Sequence, residues 1–345
     1  MVHQYVVAIC LNLHKGDCVI QRLMGKGLQK KPAGRSGGRK LDAIVLAGCG
    51  GAPRRSRFSI GTDFSGMETP ILTLRRFPLK FHHKWSCEKE PSCVRLIRQL
   101  RPDRIFLDIA RRKLDDTEYV DLLVTGFPCQ PFSQGGKGEG IRDPRGILWA
   151  FSLEFILQKR PKAVMAENVA NFPQRFAAIR DTIWKALVEA GYICEEKVLN
   201  TADYGLPQNR PRWYLVAIRS DAYRAGEDCL QTVFPAPLPF TLLLQDIVRP
   251  LPASVWAALP PRSHKQGRKN VIAAYTKMQA HGENPFIVPA VVDCNSSVGF
   301  AGHMVERCPC LTRSRAGQLN GYRCSTKGGV LECRGKGFIA RGAGQ

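Results

Sequence analysis

From residue 58 onward, apolar residues come in short bursts of β-formers, and between the bursts they recur at helical spacing. "FSIGTDF" (58–64) predicts a strand, and "METPILTLRRF" predicts a helix after the turn "SG". "FHHKWSCE" (81–88), "RIFLDI" (104–109) and "DLLVTGFP" (121–128) predict three more strands, with a helix over "EPSCVRLIRQLRP" (90–102). "RGILWAFSLEFILQKRP" (145–161) reads as helix and "KAVMAENV" (162–169) as strand. The amphipathic run "FAAIRDTIWKALVEAGY" (176–192) should stop at Gly191. "ICEEKVLN" (193–200) and "RWYLVAI" (212–218) close the series. Strands alternating with helices predict an α/β fold, a mostly parallel doubly wound sheet with ligands at the carboxyl ends of its strands.

The alternation stops near residue 220. Residues 221–322 are richer in proline, with a few strand-like runs such as "FIVPAVVDC", and predict a second, smaller irregular lobe. Residues 1–57 carry a Gly-, Pro- and cation-rich stretch expected to be a flexible basic extension, and 323–345 an unpacked tail.

Charge alters this picture more than bulk composition does. Lys and Arg outnumber Asp and Glu by 51 to 29, which favours a polyanionic partner, because each phosphate met by a cation releases a counterion. Nucleic acid is the leading partner class. Thirteen cysteines without a C-x2-C pair, in a chain too long to need disulfide staples, predict reduced thiols inside a cell and no zinc site. With no long apolar run and no leader-like start, the expectation is an intracellular monomer without a membrane span, in the nucleus or the nucleoid according to host.

The candidate chemistry lies at the strand ends. The first strand ends in "DFSGMET", where Gly66 can let the backbone approach a ligand at a helix start. Glu88 follows 22 residues after Gly66, a spacing suited to accepting from a ribose diol. Asp108 could accept from an adenine amino group, so the three ends suggest an adenosine-containing cofactor, or else ordinary strand-end capping. Cys129 stands between Pro128 and Pro131 in "GFPCQPFSQGG", a stiff loop that suits either an exposed nucleophile or a packed thiol. The glycine-rich "SQGGKGEGIRDPRG" has the composition of a mobile lid. "ENV" then places Glu167 and Asn168 beside Cys129, where Glu167 is either a solvated carboxylate or an acid for a substrate nitrogen.

Together, "PCQPFS" (128–133), "AENV" (166–169), "QNRPR" (208–212) and "DPRG" (143–146) resemble the C5-cytosine DNA methyltransferase family in order and spacing, clearly over 58–220. The resemblance implies a Rossmann-like methyltransferase domain over 58–220 and a target-recognition-like lobe over 221–322. It implies S-adenosylmethionine as cofactor, held by Phe64, Gly66, Glu88 and Asp108, with Gly126 and Pro128 lining the site. Cys129 would attack C6 of a cytosine flipped from double-stranded DNA, Glu167 would hold the base, and Arg210 and Arg212 would orient it. Where the family usually has a second glycine in the cofactor loop, this chain has Met67, Glu68 and Thr69. Two further family motifs are not found near residue 345. The implied activity is DNA cytosine-5 methylation, with tRNA cytosine methylation, or nucleic-acid binding by an inactive homologue, as alternatives.

Overall fold

The computed structural model describes residues 58–76, 79–128, 148–223, 234, 236–238, 242–243, 262–263, 265–284, 290–293, 303–305, 307–310 and the backbone of 322–324. The expected basic extension, Cys129, the glycine-rich stretch after it and the tail beyond Cys324 lie outside the described residues.

Two compact units divide the chain. The first runs up to Val198 and includes Arg212–Pro235; the second takes Leu199–Pro211 and the described residues from Ala236 on. The first unit is built on β1 (Phe58–Asp63), β2 (Phe81–Cys87), β3 (Arg104–Phe106), β4 (Leu122–Thr125), β5 (Ala163–Val169), β6 (Tyr192–Asn200) and β8 (Pro211–Arg219). These form one sheet in the order β3-β2-β1-β4-β5-β8-β6. β1 to β5 are parallel, and β8 lies antiparallel to β5. The order turns back between β1 and β4, and such a switch point opens a crevice at the carboxyl ends of the two strands.

The helices are α1 (Thr69–Leu74), α2 (Pro91–Leu100), α3 (Leu148–Lys159), α4 (Phe172–Arg175) and α5 (Ala177–Glu189). α1 is shorter than the pattern over 67–77 predicts, because Glu68 is left-handed at φ 54° and cannot belong to a helix. Gly191, at φ 80°, stops α5 as expected. β3 ends at Phe106 rather than Ile109, since the Asp108 carboxylate accepts from the Ala110 amide at 3.0 Å and turns the chain into a 3-10 turn.

Alternation along β1 distributes its last residues over the two sheet faces. On one face Trp85, Leu123, Val164 and Leu215 pack against Phe155 and Ile156 of α3 and Ile183 and Leu187 of α5. The Trp85 and Phe155 rings meet edge to face at 5.1 Å. A bulge in the β1–β2 pairing sets Gly61 opposite Trp85, and a Cβ there would lie 2.5 Å from the indole. Gly61→Ala is therefore expected to lower stability by about 1–3 kcal/mol through overpacking, read as a lower urea midpoint at unchanged slope.

In the second unit α6 (Lys265–Ala280) packs on β9 (Ala290–Asp293), the middle strand of an antiparallel sheet with β10 (His303–Val305) and β12 (Tyr322–Cys324). Arg323 and Cys324, expected in the unpacked tail, thus belong to a strand. Val271 and Ala274 of α6 are buried on Val292, and Asn270 donates to the Asp293 carbonyl at 3.0 Å. The sequence reading found no helix here. β7 (Gln208–Asn209) pairs in parallel with β11 (Cys308–Pro309), which draws residues 199–211 into this unit.

Candidate active site

The loop after β1 alternates left-handed residues: Phe64, Gly66 and Glu68 have φ of 54°, 55° and 54°. Only glycine takes this conformation without a Cβ penalty, so the surroundings must hold Phe64 and Glu68 there. The Ser65 amide donates to the Cys87 carbonyl at 3.1 Å, and the Gly66 amide donates to Glu88 Oε2 at 2.8 Å. Glu88 Oε1 accepts from the Glu90 amide, also at 2.8 Å. Glu88 thus ties two backbone segments at the crevice rim, and each oxygen keeps a lone pair for a further donor.

Thr62 pairs with Ser86 across β1 and β2, which sets their hydroxyls side by side on one sheet face. Both donate to Glu68 Oε1, at 2.5 Å each, and the Glu68 side chain is fully buried. One residue on, Asp63 turns to the opposite face and forms a buried ion pair with Arg112 Nη1 at 2.5 Å. Ser152 of α3 donates to Asp63 Oδ2 at 2.7 Å. The Arg112 guanidinium lies 4.9 Å from the Trp85 ring centre and 5.3 Å from that of Phe155. Two polar networks therefore grip the end of β1 from the two sheet faces; of their members the motif reading had noted only Glu68, as a departure from the family.

At the other wall of the crevice, Gly126, Phe127 and Pro128 continue β4. Phe127 is buried with its ring 5.3 Å from that of Phe172, and the buried Asn168 amide donates to the Phe127 carbonyl at 3.4 Å. The Glu167 carboxylate faces this root: a Cβ on Gly126 would lie 3.7 Å from its Oε2. Val169 of β5 pairs with Arg212 of β8, so Arg212 is the diagonal neighbour of Glu167 on one face. Its Nε forms an ion pair with Glu167 Oε1 at 3.0 Å.

Of the residues singled out from sequence, Glu167, Arg212, Gly126 and Pro128 come together beside β4 and β5, and Phe64, Gly66 and Glu88 beside β1 and β2. Asp108 follows β3 with a half-exposed carboxylate. Arg210 belongs to the second unit, where its guanidinium meets the Cys310 sulfur at 2.9 Å and its amide donates to Asn200 Oδ1 at 2.8 Å. Burial pushes the Cys87 thiol well above its ordinary range and that of Cys194 up to about 12, so both are neutral and poor nucleophiles at neutral pH.

Residues 63–287, more than half of the chain, match the family of C-5 cytosine-specific DNA methylases. The chain belongs to that family. It is 41% identical to the Type II methyltransferase M.HaeII of Haemophilus aegyptius over 142 residues, 39% of this chain and 41% of that one. Against M.HhaI of Haemophilus parahaemolyticus the identity is 35% over 131 residues, 38% of each. These matches span less than half the length of the relatives. Among solved structures, a mutant of Spodoptera frugiperda DNMT2 superimposes with a TM-score of 0.47 at 18% identity, over 62% of this chain and 65% of that one. Among the described residues no helix is long and apolar enough to cross a membrane.

Proposed function

We propose that this chain is a DNA (cytosine-5-)-methyltransferase that moves a methyl group from S-adenosylmethionine to C5 of a cytosine turned out of duplex DNA. One observation carries the reading beyond family membership: the Glu167 carboxylate, paired with Arg212, faces the root of the loop that bears Cys129. An acid beside the residues that lead into Cys129 suits two-step chemistry on a single base.

S-adenosylmethionine supplies an electrophilic methyl group when bound. The rim suits its recognition: Glu88 keeps acceptor capacity for ribose hydroxyls, Asp108 presents a half-exposed carboxylate, and Leu107 beside it is an exposed apolar surface for a base. Phe64, Gly66, Gly126 and Pro128 complete the walls.

C5 of cytosine is too weak a nucleophile to accept a methyl group unaided. The Cys129 thiolate bonds to C6 while Glu167 delivers a proton to N3, so that C5 becomes enamine-like and would take the methyl group, with S-adenosylhomocysteine as the leaving group. Transfer of the C5 proton to water and return of the N3 proton to Glu167 then re-form the C5–C6 double bond and expel the Cys129 thiolate. Arg212 holds the Glu167 side chain toward the base, and Arg210 is a further orienting cation. Flipping the base costs a few kcal/mol, which binding to the phosphates of DNA by this cation-rich chain offsets.

The test is incubation with methyl-labelled S-adenosylmethionine and either duplex DNA or tRNA. Label is expected in DNA; label confined to tRNA, or to neither, overturns the reading. Glu167→Gln keeps the shape but removes the proton donor and the ion pair. Its kcat on DNA is expected to fall about 100- to 10,000-fold, with an unchanged urea midpoint.

A further inference from the structure

We propose that Glu68 is a positioning residue, a buried acid clasp standing where the family usually has glycine, which holds the Phe64–Glu68 loop in the shape that receives the methyl donor. The inference rests on the assignment of that loop to S-adenosylmethionine.

A glycine at position 68 would take φ 54° without strain, yet the chain places there a glutamate whose side chain is fully buried. The position has a local backbone reason, because the Glu68 amide donates to the Ser65 carbonyl at 2.9 Å and closes the turn. The side chain has a different one. It runs beneath the loop to Thr62 on β1 and Ser86 on β2 and accepts from both at Oε1, so one acid joins the two strands whose ends bear the loop and Glu88.

The chain of donors continues outward. Because Ser86 gives its proton to Glu68, it accepts from His83 Nε2 at 2.9 Å, and the same nitrogen lies 3.6 Å from Glu68 Oε1. His83 Nδ1 and Glu68 Oε2 are buried without a hydrogen-bond partner among the described residues. Thr62 Oγ1 also lies 2.7 Å from Ser65 Oγ, whose oxygen accepts from the Cys87 amide at 3.1 Å. The Thr62 and Ser86 hydroxyls are thereby oriented toward one acid, while the Ser65 hydroxyl reaches the Thr62 and Cys87 carbonyls at 3.1 and 3.2 Å. A packing residue would need neither the charge-bearing group nor its convergent donors, and burying such a group is unfavourable unless its bonds are made.

The clasp predicts an unusual outcome for substitution to the family's own residue. Glu68→Gly relieves the left-handed strain but strands the Thr62 and Ser86 hydroxyls. Glu68→Gln keeps an acceptor oxygen in place and serves as the conservative rescue. Amide exchange of Ser65, Gly66 and residue 68, each hydrogen-bonded in the parent chain, is measured on the full chain together with S-adenosylhomocysteine titration; the amides of β5 report global stability. In Glu68→Gly the loop amides are expected to exchange about tenfold faster or more, and affinity to fall by a similar factor, while β5 keeps its protection. Glu68→Gln should stay within about threefold of the parent in both, since its oxygen can still accept. Should Glu68→Gly fail to fold, the Thr62→Val/Ser86→Ala pair, which removes the donors and leaves the backbone untouched, is expected to loosen the loop in the same way. Parent-like exchange and affinity in Glu68→Gly, or in that pair, overturn the clasp. Absence of S-adenosylhomocysteine binding by the parent chain overturns the cofactor assignment instead, and the loop's role with it.

Discussion

Cys129→Ala is expected to lower methyl transfer to DNA by about a thousandfold or more, because it removes the atom that makes C5 reactive and leaves only binding and orientation. Binding of S-adenosylhomocysteine should be unchanged, since the loop after β1 and Glu88 do not involve the thiol. Duplex DNA carrying 5-fluorocytosine should trap the parent chain as a denaturant-stable adduct, fluorine having replaced the proton that must leave, and should not trap the variant. A trapped variant would move the nucleophile to another cysteine. Cys87 and Cys194 are poor candidates for that, because burial holds both thiols neutral. The root of the Cys129 loop is well fixed: Phe127 is buried against Phe172, and its carbonyl is held by Asn168 of the neighbouring strand.

The largest stability effect is expected from Arg112. Its side chain is 1% exposed, paired with an Asp63 carboxylate that is fully buried, and enclosed by Trp85 and Phe155. Arg112→Ala would leave Asp63 with only the Ser152 hydroxyl as a side-chain donor among the described residues and open space between the rings. Breaking a buried pair from one side typically costs about 3–5 kcal/mol, most of it from the charge left behind. Arg112→Met/Asp63→Leu, which removes both charges and refills the volume, should be far closer to the parent chain. Urea unfolding of the parent, each single variant and the double variant gives the coupling directly. Additive losses would mean that the two side chains act independently and that the pair is incidental to the fold.

The α/β alternation was legible because it rests on local properties: bursts of β-branched or aromatic residues for β1, β2, β4 and β5, helical spacing for α2, α3 and α5, and a glycine at 191 to end α5. The helix α6 escaped that reading. Its buried positions include Gly267 and Asn270, which carry no apolar signal, so the period shows only once β9 is seen to cover Val271 and Ala274. Glu68 was legible as a departure from the family, but its neighbours were not, because nothing local in "GTDFSGMET" tells that Ser86 lies opposite Thr62.

The sequence by itself determined the order of the elements, the placing of Phe64, Glu88, Gly126 and Glu167 at or just beyond strand ends, and the family to which they belong. Tertiary structure alone decided which ends meet. β1 neighbours β4 across 62 positions of chain, as the Ser59–Asp121 contact marks, and this sets the crevice. The antiparallel register of β8 on β5 gave Glu167 to Arg212, whereas Arg210, two residues earlier, went with Asn200 and Cys310. The physical reason is the same in each case: propensity and periodicity act over a few residues, whereas register is set by packing between segments far apart in the chain.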